Sequence, residues 1–202
     1  MLKLAITQVP INETIANRWS GRAYDAERLV TREQIIALLE AARWAPSCFG
    51  DQPWRFIFWD KSTDEQAWKQ ALDCIVPGNQ SWAKDAQVLI LVCANSVFDH
   101  NGQPNRWAQY DTGAAAENIC LQAAHAGLMA HQMGGFDVDQ AREKFKIPAE
   151  FTLMAMISVG YAADIANVTG EALARETAAR KRKPLSEMFF EASWAKPINT
   201  SA

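Results

Sequence analysis

Apolar residues fall along this chain in two rhythms. Val88 to Ala94 (VLILVCA) is an unbroken apolar run, which reads as a strand buried on both faces and is far too short to span a membrane. Arg55 to Trp59 (RFIFW) is rich in β-branched and aromatic residues and predicts a second strand. Thr152 to Val159 predicts another. Leu128 to Met133 predicts a short one that runs into Gly134-Gly135. Helical spacing dominates elsewhere. Ile11 to Asn17 predicts a short helix ending at RWSGR. Thr31 and Gln34 have capping-box spacing, and Ile35, Leu38, Leu39 and Ala42 follow at helical intervals. Pro46 disfavours helical geometry at Ala45, so this helix should stop there. Thr63 to Asp73 is also helical in pattern, and Asp137 with Gln140 caps a helix running to Lys146. Trp107 to Ala126 predicts a long helix rich in Gly and Ala. Such small residues suit a helix that is central or lies at a subunit interface.

After Tyr161 the pattern changes. Gly170 to Lys183 is Ala-rich and charged, either helical or partly mobile. The tail Pro184 to Ala202 carries Leu185, Met188, Phe189, Phe190 and Trp194, an apolar set suited to docking on another surface. Strands alternate with helices, yet some connections are too short for parallel crossovers. The fold class expected is therefore α+β, a sheet with helices on both faces. No repeat or domain boundary interrupts residues 1–202, so a single domain is expected.

Composition narrows the function. The net charge of -3 argues against a broad nucleic-acid-binding face. The four cysteines, Cys48, Cys74, Cys93 and Cys120, lie far apart without a C-x-x-C, which suits a reducing, cytoplasmic setting. The start MLKLAITQVP lacks the features of a signal peptide. There is no G-x-G-x-x-G, P-loop or G-x-S-x-G element. His100, His125 and His131 lack zinc-ligand spacing and read as structural or solvent-facing, so no metal is expected. A site made of protein side chains alone is not indicated, which favours a cofactor bringing its own reactivity.

Three segments stand out. Arg18-Trp19-Ser20-Gly21-Arg22 places two arginines and a hydroxyl within five residues, a planar-fork arrangement suited to phosphate or to a plain solvated helix end. Arg180-Lys181-Arg182-Lys183-Pro184-Leu185 reads as a solvated face or a nucleic-acid patch. Met133-Gly134-Gly135-Phe136 reads as a simple turn or as a place where a ligand meets backbone.

Together these segments resemble the FMN-dependent nitroreductase family. Arg18-x-Ser20-x-Arg22 resembles its N-terminal signature. Ala42 to Trp54, including PSCFGDQPW, resembles its Pro-Ser loop. Asn79-Gln80-x-Trp82, leading into Ala86 to Val92, and Asp111 to Gly127 followed by Gly134-Gly135-Phe136 resemble its central blocks. Arg182-Lys183-Pro184-Leu185-x-Glu187 resembles its C-terminal block. Each motif alone is weak, but five in order over about 170 residues form a specific signal.

The resemblance implies a three-layer α/β/α sandwich around a mostly antiparallel mixed sheet, in an intertwined homodimer whose tail, residues 184–202, wraps the partner. It implies that Arg18, Ser20 and Arg22 hold FMN, with Trp19 in the same segment. Pro46, Ser47 and Cys48 would line the flavin from the neighbouring subunit. Asn79 would bond the isoalloxazine edge, Gly134 and Gly135 would lie near N5, and Arg180 and Arg182 would complete the phosphate cradle. The chain departs from the family pattern at Gly50, where Asn is frequent, at Trp82, near a position that carries Lys in some members, and at Trp19, bulkier than the usual Arg or His. Ser96 to Asn105 reads as a short substrate lid.

The activity implied is reduction of nitroaromatics, quinones and related electrophiles by NAD(P)H in a two-step cycle. No obligatory protein acid or base is expected. Alternatives are a reductive dehalogenase or flavin-processing enzyme on the same fold, a flavin reservoir and a redox-sensing module. No nucleic-acid or membrane partner is expected.

Overall fold

The structure, a computed structural model, describes residues 3–200. Helix α1 (Glu13–Asn17) follows an extended N-terminal arm, and α2 (Arg32–Arg43) follows a loop. Strand β1 (Trp54–Asp60) leads through α3 (Glu65–Asp73) and α4 (Pro77–Ala83) to β2 (Val88–Asn95). The long α5 (Ala108–His125) connects to β3 (Met129–Met133), and α6 (Val138–Lys144) connects to β4 (Phe151–Gly160). Two short helices, α7 (Gly170–Thr177) and α8 (Leu185–Met188), end the chain.

The sheet order is β1-β2-β4-β3, and every described pairing is antiparallel. The parallel member of the expected mixed sheet is not among these four strands. β2 is buried along its whole length because both its faces are covered. Side chains alternate across a strand, so Leu89, Leu91 and Cys93 join one core while Val88, Ile90 and Val92 join the other. The register shifts between Val92 and Cys93, where β4 passes from Ala155 to Leu153. This bulge reverses the alternation on β4, so Leu153 and Met156, three positions apart, face the same core.

The first core is capped by α3, α4 and α6 through Trp68, Ala71, Trp82, Ala83 and Ala141. The second is capped by α2 and α5 through Ile35, Leu38, Ala115, Ala116 and Ile119. These two helical layers and the sheet make the α/β/α sandwich. The predicted capping box is formed: Gln34 N–H donates to Thr31 Oγ1 and Thr31 N–H to Gln34 Oε1. Asp137 accepts from Gln140 N–H at 2.9 Å to start α6. The helix expected over Gly170 to Lys183 ends at Thr177, and the basic run 180–183 is non-helical. The tail folds on itself. Glu191 N–H donates to the Lys196 carbonyl, Ile198 N–H to that of Phe189, and the Phe190 and Trp194 rings lie 5.0 Å apart.

Candidate functional site

Helix α1 ends at Asn17, and Arg18 leaves it in extended geometry. Arg18 Nε lies 3.3 Å from Glu117 Oε1 on α5. Its carbonyl accepts from Arg180 Nη2 at 2.9 Å, while Arg180 Nη1 donates to the carbonyls of Lys3 and Ala16 at 2.9 and 2.7 Å. Arg180 is thus a clasp joining the N-terminal arm, the end of α1 and the segment after α7. Two of its nitrogens, expected at a phosphate, face backbone carbonyls instead, so what it can lend an anion is chiefly charge. Burial pushes its pKa down, and the charges of Arg18 and Arg182 push it further, which places three guanidinium groups in one neighbourhood. Arg182 is exposed, and Nη1 donates to the Lys181 carbonyl beside it.

The chain then runs along β3. His131 Nδ1 donates to the Gly21 carbonyl at 2.9 Å, which requires the tautomer with its proton on Nδ1 when the ring is neutral. A Cβ on Gly21 would fall 2.1 Å from Met129 Sδ and about 2.9 Å from the Trp19 ring, so only glycine lets this segment lie so close to the strand. Arg22 N–H donates to the buried Glu176 at 2.9 Å, leaving the guanidinium to point elsewhere: its Cζ is 5.5 Å from the Trp82 ring centroid. The His131 ring lies 4.6 Å from the same indole. Ser20 is exposed, and Trp19 is half-buried beneath Lys3 Nζ, 4.3 Å from its ring.

Asn79 and Trp82 lie three residues apart on α4. Val76 N–H donates to the Gly135 carbonyl at 3.1 Å, joining the start of α4 to the turn after β3. Asn79 Nδ2 is 2.9 Å from where a Cβ on Gly135 would stand, and Val76 Cγ2 is equally close. Glycine at 135 is therefore what lets Asn79 pack on the turn. Gly134 is exposed, with open space at its Cβ position. Trp82 Nε1 is buried and has no hydrogen-bond partner.

Pro46, Ser47 and Cys48 stand apart from this group. Cys48 N–H donates to Asp111 Oδ2 at the start of α5, and Gln52 N–H to Ser47 Oγ. The cleft along Pro46 and Ser47 is bounded by Arg43, Trp44, Gly50 and Gln52 and touches none of the arginines in the first group. The structure thus brings Arg18, Trp19, Arg22, Asn79, Gly135, Arg180 and Arg182 to one side, with the Pro46 loop elsewhere in the chain.

Sequence and fold now point the same way, for residues 15–161 match the nitroreductase family. The chain belongs to the nitroreductase family. A Methanothermobacter thermautotrophicus protein named "Putative NADH dehydrogenase/NAD(P)H nitroreductase" is 31% identical over 163 residues, spanning 79% of this chain and 81% of its own. A crystal structure of an oxidoreductase containing FMN superposes with a TM-score of 0.86 at 32% identity, over 95% of this chain and 96% of its own. A Desulfovibrio desulfuricans protein described as a "putative nitroreductase in complex with FMN" superposes at 0.70 with 26% identity, over 93% of this chain and 99% of its own.

Within this nitroreductase-family chain, motif reading gave no role to Glu176 or to the Asp51 side chain, while His131, read as structural or solvent-facing, ties β3 to Gly21. Asp51 is buried and accepts from Asp99 N–H and Asn105 Nδ2, fastening the loop 96–105 to the Pro46 turn. A carboxylate between Gly50 and a Pro-bounded strand start was the available signal. No cluster of potential metal ligands and no helix long and apolar enough to cross a membrane occurs among the described residues.

Proposed function

We propose that this chain is an FMN-dependent oxidoreductase, taking electrons from NAD(P)H and delivering them to nitroaromatic, quinone or similar electrophilic acceptors in a ping-pong cycle. One observation carries the reading: Arg18 and Arg182 lie close enough to Arg180, and Arg18 and Arg22 to His131, to act on their charge, while Glu117 pairs with Arg18 and Glu176 serves the Arg22 backbone N–H. An under-neutralised guanidinium cluster suits a phosphate dianion. The open Gly134 backbone and the Asn79 amide beside it suit a flat, hydrogen-bonding ring system.

When bound, FMN would supply the two-electron hydride chemistry linking donor to acceptor. The chain's own residues would do the holding. Arg18, Ser20 and Arg182 would take the phosphate, with Arg180 adding charge. Arg22, steadied over Trp82, would face the pyrimidine edge and stabilise negative charge where it develops on reduction. Trp82 offers a buried N–H in place of the lysine found in some relatives. Pro46, Ser47 and Cys48 would reach the flavin from a second copy, which accounts for a loop bearing family residues yet lying away from its own chain's arginines. An intertwined homodimer would also cover Ile6, Trp44, Phe189 and Trp194, all more than half exposed in the single chain. Four free cysteines suit a cytoplasmic location.

The test is an absorbance spectrum of purified protein, followed by anaerobic titration with NADH and with NADPH. Flavin bands that bleach are expected. Protein that is colourless and cannot be loaded with FMN refutes the proposal, and yellow protein that neither donor bleaches points to a reservoir or sensor. Arg22→Ala is expected to lose FMN on gel filtration; a fully loaded variant refutes that residue's role.

A further inference from the structure

We propose that Phe49 and His100 form an acceptor slot for a flat, uncharged aromatic ring; this rests on the function proposed above and names the substrate class and the residue that selects it. Phe49 is a large aromatic left 83% exposed, and its backbone is left-handed at φ 55, ψ 14. Gly50 and Gln52 share positive φ, at 67 and 52. A bulky side chain rarely adopts this geometry, which persists only where surrounding bonds impose it. Here they do. Cys48 N–H is held by Asp111, Gln52 N–H by Ser47 Oγ, and Asp99 N–H and Asn105 Nδ2 by the two oxygens of Asp51. The Asp51 side chain is only 2% exposed, so the anchor is internal.

What this strained turn achieves is not packing. Phe49 meets Phe98 and His100 in T-shaped contacts, at 5.8 and 5.9 Å between ring centroids, and most of the Phe49 ring stays open to solvent. A shallow, open depression lies among Phe49, Gly50, Asp51, Asp99 and His100. Its charge is also informative. Asp99 is matched by Arg55 at 3.4 Å, whereas the Asp51 carboxylate is held by Asp99 N–H and Asn105 Nδ2, with the His100 imidazole 3.7 Å away. Among the described residues no lysine or arginine lines the cleft, and its two carboxylates, Asp51 and Asp99, disfavour an anionic substituent. Phe49 also follows directly on Ser47-Cys48, the stretch proposed to line the flavin of a second copy, and that carries the slot to the reacting centre.

The experiment compares FMN-loaded full-length protein with its Phe49→Ala and Phe49→Trp variants. Loss of one aromatic stacking contact is expected to raise the KM for nitrobenzene about tenfold in Phe49→Ala. Phe49→Trp should stay near wild type. FMN retention should not change, and the rate with ferricyanide, which has no ring to stack, should fall less than the rate with nitrobenzene. Wild type should favour nitrobenzene over para-nitrobenzoate. An unchanged nitrobenzene KM, or an equal loss with ferricyanide, overturns the slot. So does a change of oligomeric mass in Phe49→Ala, which would mean that a second copy covers the ring. Saturation-transfer NMR with nitrobenzene and no donor separates the slot from the reaction. Contact that is lost in Phe49→Ala supports it even in protein that shows no turnover, and equal contact in both proteins overturns it. Failure of FMN loading in the wild type, by contrast, strikes the proposed oxidoreductase function and leaves this binding result to stand alone.

Discussion

At His131 one ring nitrogen links β3, just ahead of the glycine turn, to the segment that carries Arg22. Burial lowers its pKa; the bond to the Gly21 carbonyl opposes this, and the charges of Arg22 and Arg18 add to the lowering. The folded ring therefore gives up its proton more readily than the unfolded one, whose ordinary value is 6.5. The unfolded state binds more protons in that window, so this contribution to stability is fully present above 6.5 and is lost as pH falls through the folded value. Denaturant unfolding followed from about pH 7.5 down to about 5 should show a decline in the wild type that is shallower in His131→Gln. An identical decline in both proteins would exclude the ring as its source. Nothing local in the sequence marks His131, because its partner at Gly21 lies 110 residues away. The arginines were legible as residue types, but their directions were not: Arg180 and Arg182 are two positions apart in the chain, yet Arg180 bonds three distant carbonyls and Arg182 only that of Lys181.

Among the elements, the clasp made by Arg180 is the contact most exposed to test. Charge-assisted bonds contribute at least about 1.5 kcal/mol each, so Arg180→Ala should lower stability by that much or more, a fall of roughly 3–6 °C in Tm for a chain of this size. The N-terminal arm, which receives part of that fork, should also become more susceptible to limited proteolysis. An unchanged Tm and cleavage pattern would show that the three carbonyls are satisfied equally well by water. Most elements were readable because local chemistry specifies them: Thr31 with Gln34 begins α2, Pro46 bars its continuation, and the apolar run of β2 needs cover on both faces. Helix α4 was missed. Its signal is Pro77 at the first helical position, where the missing N–H costs nothing. The β-bulge opposite Val92 and Cys93 could not be read, since register is a property of two strands and not of one.

For the molecule as a whole, the exposed tail and the divided site ask for a second copy. Full-length protein is expected to run at twice the chain's mass in light scattering, and protein lacking residues 184–202 to shift towards a single chain and retain less FMN. A truncated protein that stays dimeric would move the source of association to the α5 face and the N-terminal arm. The layered architecture was legible from the alternation of elements; the placing of the Pro46 loop with a neighbouring subunit was expected only through the family resemblance, because linear order alone does not say which residues meet. The bonds of Arg180 join residues 177, 164 and 162 positions apart. During synthesis the N-terminal arm and the end of α1 therefore wait, unclasped, until Arg180 has left the ribosome. A ligand that needs both segments would be taken up only after that point, so its supply would limit how much of the protein becomes active rather than how fast its first half is made.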